Sequence, residues 1–288
     1  MTQLVHLGTN MLLGYNTNGL PHHRLIDAID LLADLGYRSV AITLDAGALD
    51  PFDDPEYLKA QVRRVRERLD HHGLNRVVET GARFLLNPRM KHDPTLLDPD
   101  ADRRRLRIKF LNLAIDIAKE LDANVVSLWS GALRDSVSDA EAMDRLVQAL
   151  REVLAHAEQM ECRLGFEPEP GFFIDRLERF HELDQRLNHP LFQLTMDIGH
   201  VHCNETGPIA DHVKRWGDRI VNVHIEDMVR DVHDHLMFGA GTINFPPVLR
   251  ALKEAGYSGG VHVELSRHGH AGYEAALASM RFLGPLLG

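Results

Sequence analysis

Cysteine is nearly absent. The 288-residue chain carries two, Cys162 and Cys203, too few for a disulfide scaffold or a cysteine-rich zinc site. Positive charge is also in short supply: 32 Lys and Arg against 42 Asp and Glu give a formal charge of −10. That balance argues against a nucleic-acid partner, because phosphate-backbone binding comes mainly from Lys and Arg. No apolar run approaches the roughly 20 residues a membrane helix needs, so no membrane partner is expected. The opening Met1-Thr2-Gln3-Leu4-Val5-His6 lacks the basic-then-apolar pattern of a secretory leader, which sets the expectation of a cytoplasmic protein with buried free thiols. No Pro/Gly/Ser-rich linker and no low-complexity stretch interrupts the chain.

Histidine, by contrast, is abundant, with 18 residues, many beside apolar runs. The apolar fraction of 44% and charged fraction of 26% are those of a globular chain. Short β-rich runs are expected at 4–9, 38–44, 76–80, 124–129, 163–167, 192–197, 219–224 and 260–264. Amphipathic helical stretches alternate with them at 22–35, 55–71, 101–121, 139–160, 175–187, 208–216, 246–255 and 273–287. Glycines in Leu35-Gly36-Tyr37, His72-Gly73-Leu74 and Ala255-Gly256-Tyr257 fit left-handed helix ends followed by strands. Strand–helix alternation of this kind demands parallel strands with helical crossovers. No Gly-x-Gly-x-x-Gly follows the first strand, as a dinucleotide fold requires. The expected architecture is therefore an α/β fold, a closed (β/α)8 TIM barrel forming one domain over residues 1–288. Two long loops, 81–99 and 229–244, fall on the C-terminal face, where barrel enzymes keep their chemistry.

Four consecutive strand ends carry side chains able to bind a metal: Glu167 in Phe166-Glu167-Pro168-Glu169, Asp197 in Met196-Asp197-Ile198-Gly199-His200, His224 in Val223-His224-Ile225, and Glu264 in His262-Val263-Glu264. In a barrel these ends converge on one mouth. Three carboxylates so close need protons or a counterion, and oxygen-rich ligation with one imidazole suits one divalent metal ion. Manganese (Mn2+) is the first expectation, with Mg2+, Co2+ or Zn2+ as alternatives. Trp129 closes strand four and is a candidate apolar wall against a sugar ring. His233 and His235, in the loop after strand seven, are candidate proton donors.

These motifs, together with Gly239-Ala240-Gly241-Thr242-Ile243-Asn244-Phe245 and Gly256-Tyr257-Ser258-Gly259, resemble the signature of the xylose isomerase-like barrel superfamily. Its members include ketose 3-epimerases, hydroxypyruvate isomerase, inosose dehydratase and endonuclease IV. The resemblance implies Glu167, Asp197, His224 and Glu264 as metal ligands, His200 as a substrate-contacting histidine, and Arg230 as a contact to a sugar oxygen. Phe173 stands where the epimerase branch has a second glutamate. The endonuclease branch has histidines where Glu79-Thr80-Gly81 and Trp129-Ser130-Gly131 stand here.

The expected function is a metal-dependent isomerase or epimerase of a keto-sugar or keto-polyol, with carbohydrate metabolism as its setting. Glu167 and Glu264 would transfer protons through an enediolate held by the ion. His200, Arg230, His235 and Trp129 would bind the substrate. A lyase or dehydratase on a similar keto-sugar or keto-inositol shares the same first step. A non-catalytic barrel and an endonuclease-like enzyme are the remaining alternatives. The partner is a small carbohydrate, and a homo-oligomer is compatible with the sequence.

Overall fold

The computed structural model describes residues 11–123 and 125–287. Eight parallel strands close into a barrel: β1 (Leu12–Asn16), β2 (Ser39–Thr43), β3 (Asn75–Glu79), β4 (Val125–Leu128), β5 (Arg163–Phe166), β6 (Phe192–Asp197), β7 (Ile220–Ile225) and, after a two-stranded hairpin of β8 (Asp227–Val229) and β9 (Val232–Leu236), β10 (Gly260–Val263). The cycle is sealed where β1 pairs with both β2 and β10. The strand expected at 4–9 lies outside the described residues. The barrel's first strand is Leu12–Asn16, an apolar run that Gly14 interrupts.

Helices cover the outside: α1 (Leu25–Asp34), α2 (Pro55–His72), α3 (Ala101–Leu121), α4 (Asp139–Met160), α5 (Leu177–Leu187), α6 (Ile198–Asn204), α7 (Ile209–Trp216), α8 (Phe245–Glu254) and α9 (Gly272–Leu287). Their starts are chemically marked. Asp54, Asp100 and Ser138 accept hydrogen bonds from first-turn N–H groups of α2, α3 and α4, satisfying donors with no helical partner. The α4 helix turns Met143, Leu146, Val147, Leu150 and Leu154 inward, the spacing of one helical face. The short α6 adds a helix between the sixth strand and α7. The hairpin occupies part of what the sequence suggests as an open loop at 229–244.

Strand alternation then sorts the side chains. On β5, Phe166 packs outward against Phe180 and Phe192, with ring centroids 6.3 and 5.4 Å away, so the next residue, Glu167, faces the barrel mouth. On β7, Val223 and Ile225 join the apolar layer, and Asn222 and His224 point inside. The interior is filled from below by Ala41, Val77, Val125 and Val221. Beside them lie the buried polar side chains of Ser39, Ser127, Thr195, Asn222 and His262, in place of the branched apolar residues that dominate most such barrels.

Candidate metal centre and active site

The ends of β5, β6, β7 and β10 bring Glu167, Asp197, His224 and Glu264 together, with one ligand atom from each lying within 4.8 Å of the others. His224 is the hub. Its Nδ1 lies 3.1 Å from Glu167 Oε1 and 3.0 Å from Glu264 Oε2. Asp197 shows why one residue can serve structure and site at once. Its Oδ1 accepts from His200 N at 2.7 Å and caps α6. Its Oδ2 is buried with no hydrogen-bond partner. A buried carboxylate oxygen left bare beside two further carboxylates is costly without a cation. The donor set of three carboxylates and one imidazole fits a divalent ion.

Without a cation the cluster stores protons. Burial, with Glu264 and Asp197 adding to it and His224 opposing, pushes the Glu167 carboxyl up to about 8. Burial also works against the ionised Glu264, but the charge and hydrogen bond of His224, with His235 and His200, hold it well below the usual carboxylate range. Burial opposes a charged His224 too, yet Glu79, Glu167 and Glu264 outweigh it and keep that proton far above the ordinary histidine range.

A cavity of about 120 Å³ opens above this cluster, with Trp129, His200, His233, His235 and Glu264 among its walls. At about 10–15 Å³ per water-sized body, it has room for a small molecule. The Trp129 ring is wedged between Phe172, 4.9 Å away, and the buried Arg107 guanidinium, 4.3 Å from its centroid. His200 Nδ1 donates to the Pro168 carbonyl at 3.2 Å, and His235 Nδ1 donates to the Glu264 carbonyl at 3.1 Å. In those tautomers both Nε2 atoms carry lone pairs, and they converge on His233 Nε2 at 3.1 and 3.3 Å. Burial lowers the His200 pKa to about 4, Asp197 opposing the shift, so this ring is neutral at physiological pH. The three histidines form a second group able to hold a cation.

Arg230 departs from expectation. It is exposed, and its Nη1 donates to the Glu205 carbonyl at 2.7 Å. The reason is the β8–β9 hairpin, whose turn carries residue 230 away from the cavity. The cations that do line the pocket are Arg83, Lys91 and Arg267. Arg83 pairs with Asp45 at 2.6 Å, and Arg267 with Asp234 at 2.7 Å.

Three further residues belong to the site. Asn18 Nδ2 donates to Glu264 Oε1 at 2.8 Å, fixing the carboxylate from the 3-10 turn after β1. Glu169 lines the cavity, and burial with the nearby Glu167, Glu264 and Asp197 charges raises its pKa well above the ordinary value. Glu79 closes β3, and its Oε1 lies 2.9 Å from His224 Nε2. Its signal in the sequence is the same as that of Glu167: a carboxylate where an apolar strand meets a loop.

An uncharacterized protein of Methanocaldococcus jannaschii is 32% identical over 169 residues, covering 56% of this chain and 57% of that protein. The chain thus spans little more than half the length of that relative. The L-ribulose-5-phosphate 3-epimerase UlaE of Shigella flexneri is 25% identical over 197 residues, 67% of this chain and 68% of that one. The solved IolI protein with a bound zinc atom superposes with a TM-score of 0.77 at 20% identity, covering 96% of this chain and 98% of that one. The sequence profile of the xylose isomerase-like TIM barrel matches residues 29–284, and with that match the chain belongs to the xylose isomerase-like TIM barrel family.

Proposed function

We propose that this protein is a divalent-metal-dependent epimerase or isomerase of a small keto-sugar or keto-polyol. One observation carries the reading: the bare, buried Asp197 Oδ2 sits among Glu167, His224 and Glu264, and those three partners line a cavity with room for a small molecule. The relation to UlaE, which acts on L-ribulose-5-phosphate, supports the reaction class. The four residues would hold one ion, with manganese favoured by the three carboxylate donors. A bound divalent ion polarises a carbonyl and makes the neighbouring C–H more acidic. Glu264, oriented by the Asn18 amide, would take that proton, and Glu167, from the other side of the cluster's hub at His224, would return one. His200 and His235, whose side chains line the cavity, would accept hydrogen bonds from substrate hydroxyls, and Trp129 shields one face of the sugar from water.

The test is exchange of a substrate α-proton in deuterated solvent with Mn2+ present, across a panel of ketoses and keto-inositols. Glu264→Gln keeps the fold and loses exchange by at least about 100-fold, in the range of a general base. Exchange at the wild-type rate in that variant defeats the assignment. The cluster of His200, His233 and His235 favours a second reading, a lyase, because it puts imidazoles on the cavity wall able to donate a proton to a leaving group. Release of water from the substrate, instead of exchange with retention of all carbons and oxygens, identifies that reaction.

A further inference from the structure

Beneath the four clustered side chains, a chain of buried polar groups crosses the barrel. Ser39 Oγ lies 2.8 Å from His262 Nε2, His262 Nδ1 lies 2.9 Å from Asn222 Oδ1, and Asn222 Nδ2 lies 3.0 Å from Glu79 Oε1. Glu79 Oε1 in turn lies 2.9 Å from His224 Nε2. Each of these side chains is at most 5% exposed. The path joins β2, β10, β7 and β3, and no step of it is a neighbour contact along the sequence.

With Glu79 as the acceptor at the end of the path, and Asn222 Nδ2 also 3.1 Å from His224 Nε2, the donors order themselves. A carboxylate only accepts, so Asn222 must turn its amide N–H toward Glu79 and its carbonyl toward His262. His262 must then carry its proton on Nδ1, and its Nε2 accepts from the Ser39 hydroxyl. By the same rule His224 must carry a proton on Nε2 toward Glu79; Nδ1, which donates toward Glu167 and Glu264 in the metal-free protein, is the nitrogen whose proton a cation would displace. The slot for this path is built into the strands. A Cβ at Gly14 would meet His262 Cδ2 at 2.3 Å, and one at Gly260 would meet His262 Cε1 at 2.3 Å, so two glycines clear the space for the ring.

We propose that Glu79 is a positioning residue that acts through His224. It fixes the imidazole in the Nε2–H tautomer and aims Nδ1 at the metal position, with Asn222, His262 and Ser39 locking Glu79 from behind. The proposal rests on the metal reading above. A ligating histidine whose distal N–H meets a carboxylate loses about 10–100-fold in metal affinity when that partner is removed.

The experiment is titration of metal-free protein with Mn2+, read by the electron paramagnetic resonance of the free ion, for wild type, Glu79→Gln and Glu79→Ala. The expected order of affinity is wild type, then Gln, which keeps an acceptor without its charge and weakens binding about threefold or more, then Ala at about 10–100-fold. Thermal midpoints of the metal-free proteins, measured alongside, report any structural loss, which would not follow that order. Mn2+ affinity of both variants within twofold of wild type overturns the proposal while leaving the metal reading intact. If the Ala variant does not fold, the isosteric Gln variant decides alone by the same threshold. A wild-type protein that takes up no Mn2+ overturns both.

Discussion

His262 sets a residue-scale expectation for acid sensitivity. Burial is the main cause lowering its pKa, to about 3, against about 6.5 in an unfolded chain. Between those values the unfolded state binds a proton that the native state does not, so stability is fully present above pH 6.5 and falls as the pH drops toward 3. Each such group contributes about 1.4 kcal/mol per pH unit to the slope. His92, lowered to about 4 chiefly by burial, adds to it down to pH 4. Urea unfolding of the metal-free protein from pH 6.5 to 4 shows the loss, and His262→Gln flattens the slope by about one proton. An unchanged slope in that variant means the ring is charged in the native state. Gly14→Ala tests the slot itself: with a Cβ 2.3 Å from the ring, the expected destabilisation is about 1–3 kcal/mol, read as a lower urea midpoint.

At the scale of elements, the β8–β9 hairpin decides what the pocket wall can do, because it brings His233 and His235 over the barrel mouth. Asp227 ties it down: Oδ1 accepts from Met228 N at 2.9 Å and Ile243 N at 3.1 Å, and Oδ2 accepts from Gly239 N at 2.8 Å. Asp227→Ala removes three charge-assisted bonds. The expected result is faster amide exchange across residues 228–243 and a fall in kcat of about tenfold or more with Mn2+ affinity nearly unchanged. Equal exchange in the two proteins shows that the hairpin holds without it. The same hairpin marks where sequence reasoning runs out. Strand-end carboxylates such as Glu167 and Asp197 are legible because alternation of period 2 fixes the direction of each side chain. The position of Arg230 is not legible, since it depends on a turn between two short strands with exposed Val229 and Val232. The role of Glu79 is equally hidden, because its partner Asn222 is 143 residues away and only closure of the barrel makes them neighbours.

For the whole molecule, the metal is expected to be a folding partner as well as a reactant. Mn2+ at 100 times its dissociation constant stabilises the native state by about 2.7 kcal/mol, which a thermal melt reads as a rise of several degrees. Chelation reverses the rise, and Glu264→Gln shrinks it. A melting curve indifferent to Mn2+ contradicts this expectation. The polar path through the interior has a consequence for inheritance. Ser39 and Glu79 come from the front half of the chain, and Asn222, His224 and His262 from the back half, so neither half is an interchangeable module. A chimera that grafts this front half onto the back half of a relative lacking Asn222 leaves a carboxylate facing a void, and recombination within this lineage should succeed only where both halves are exchanged as a matched pair.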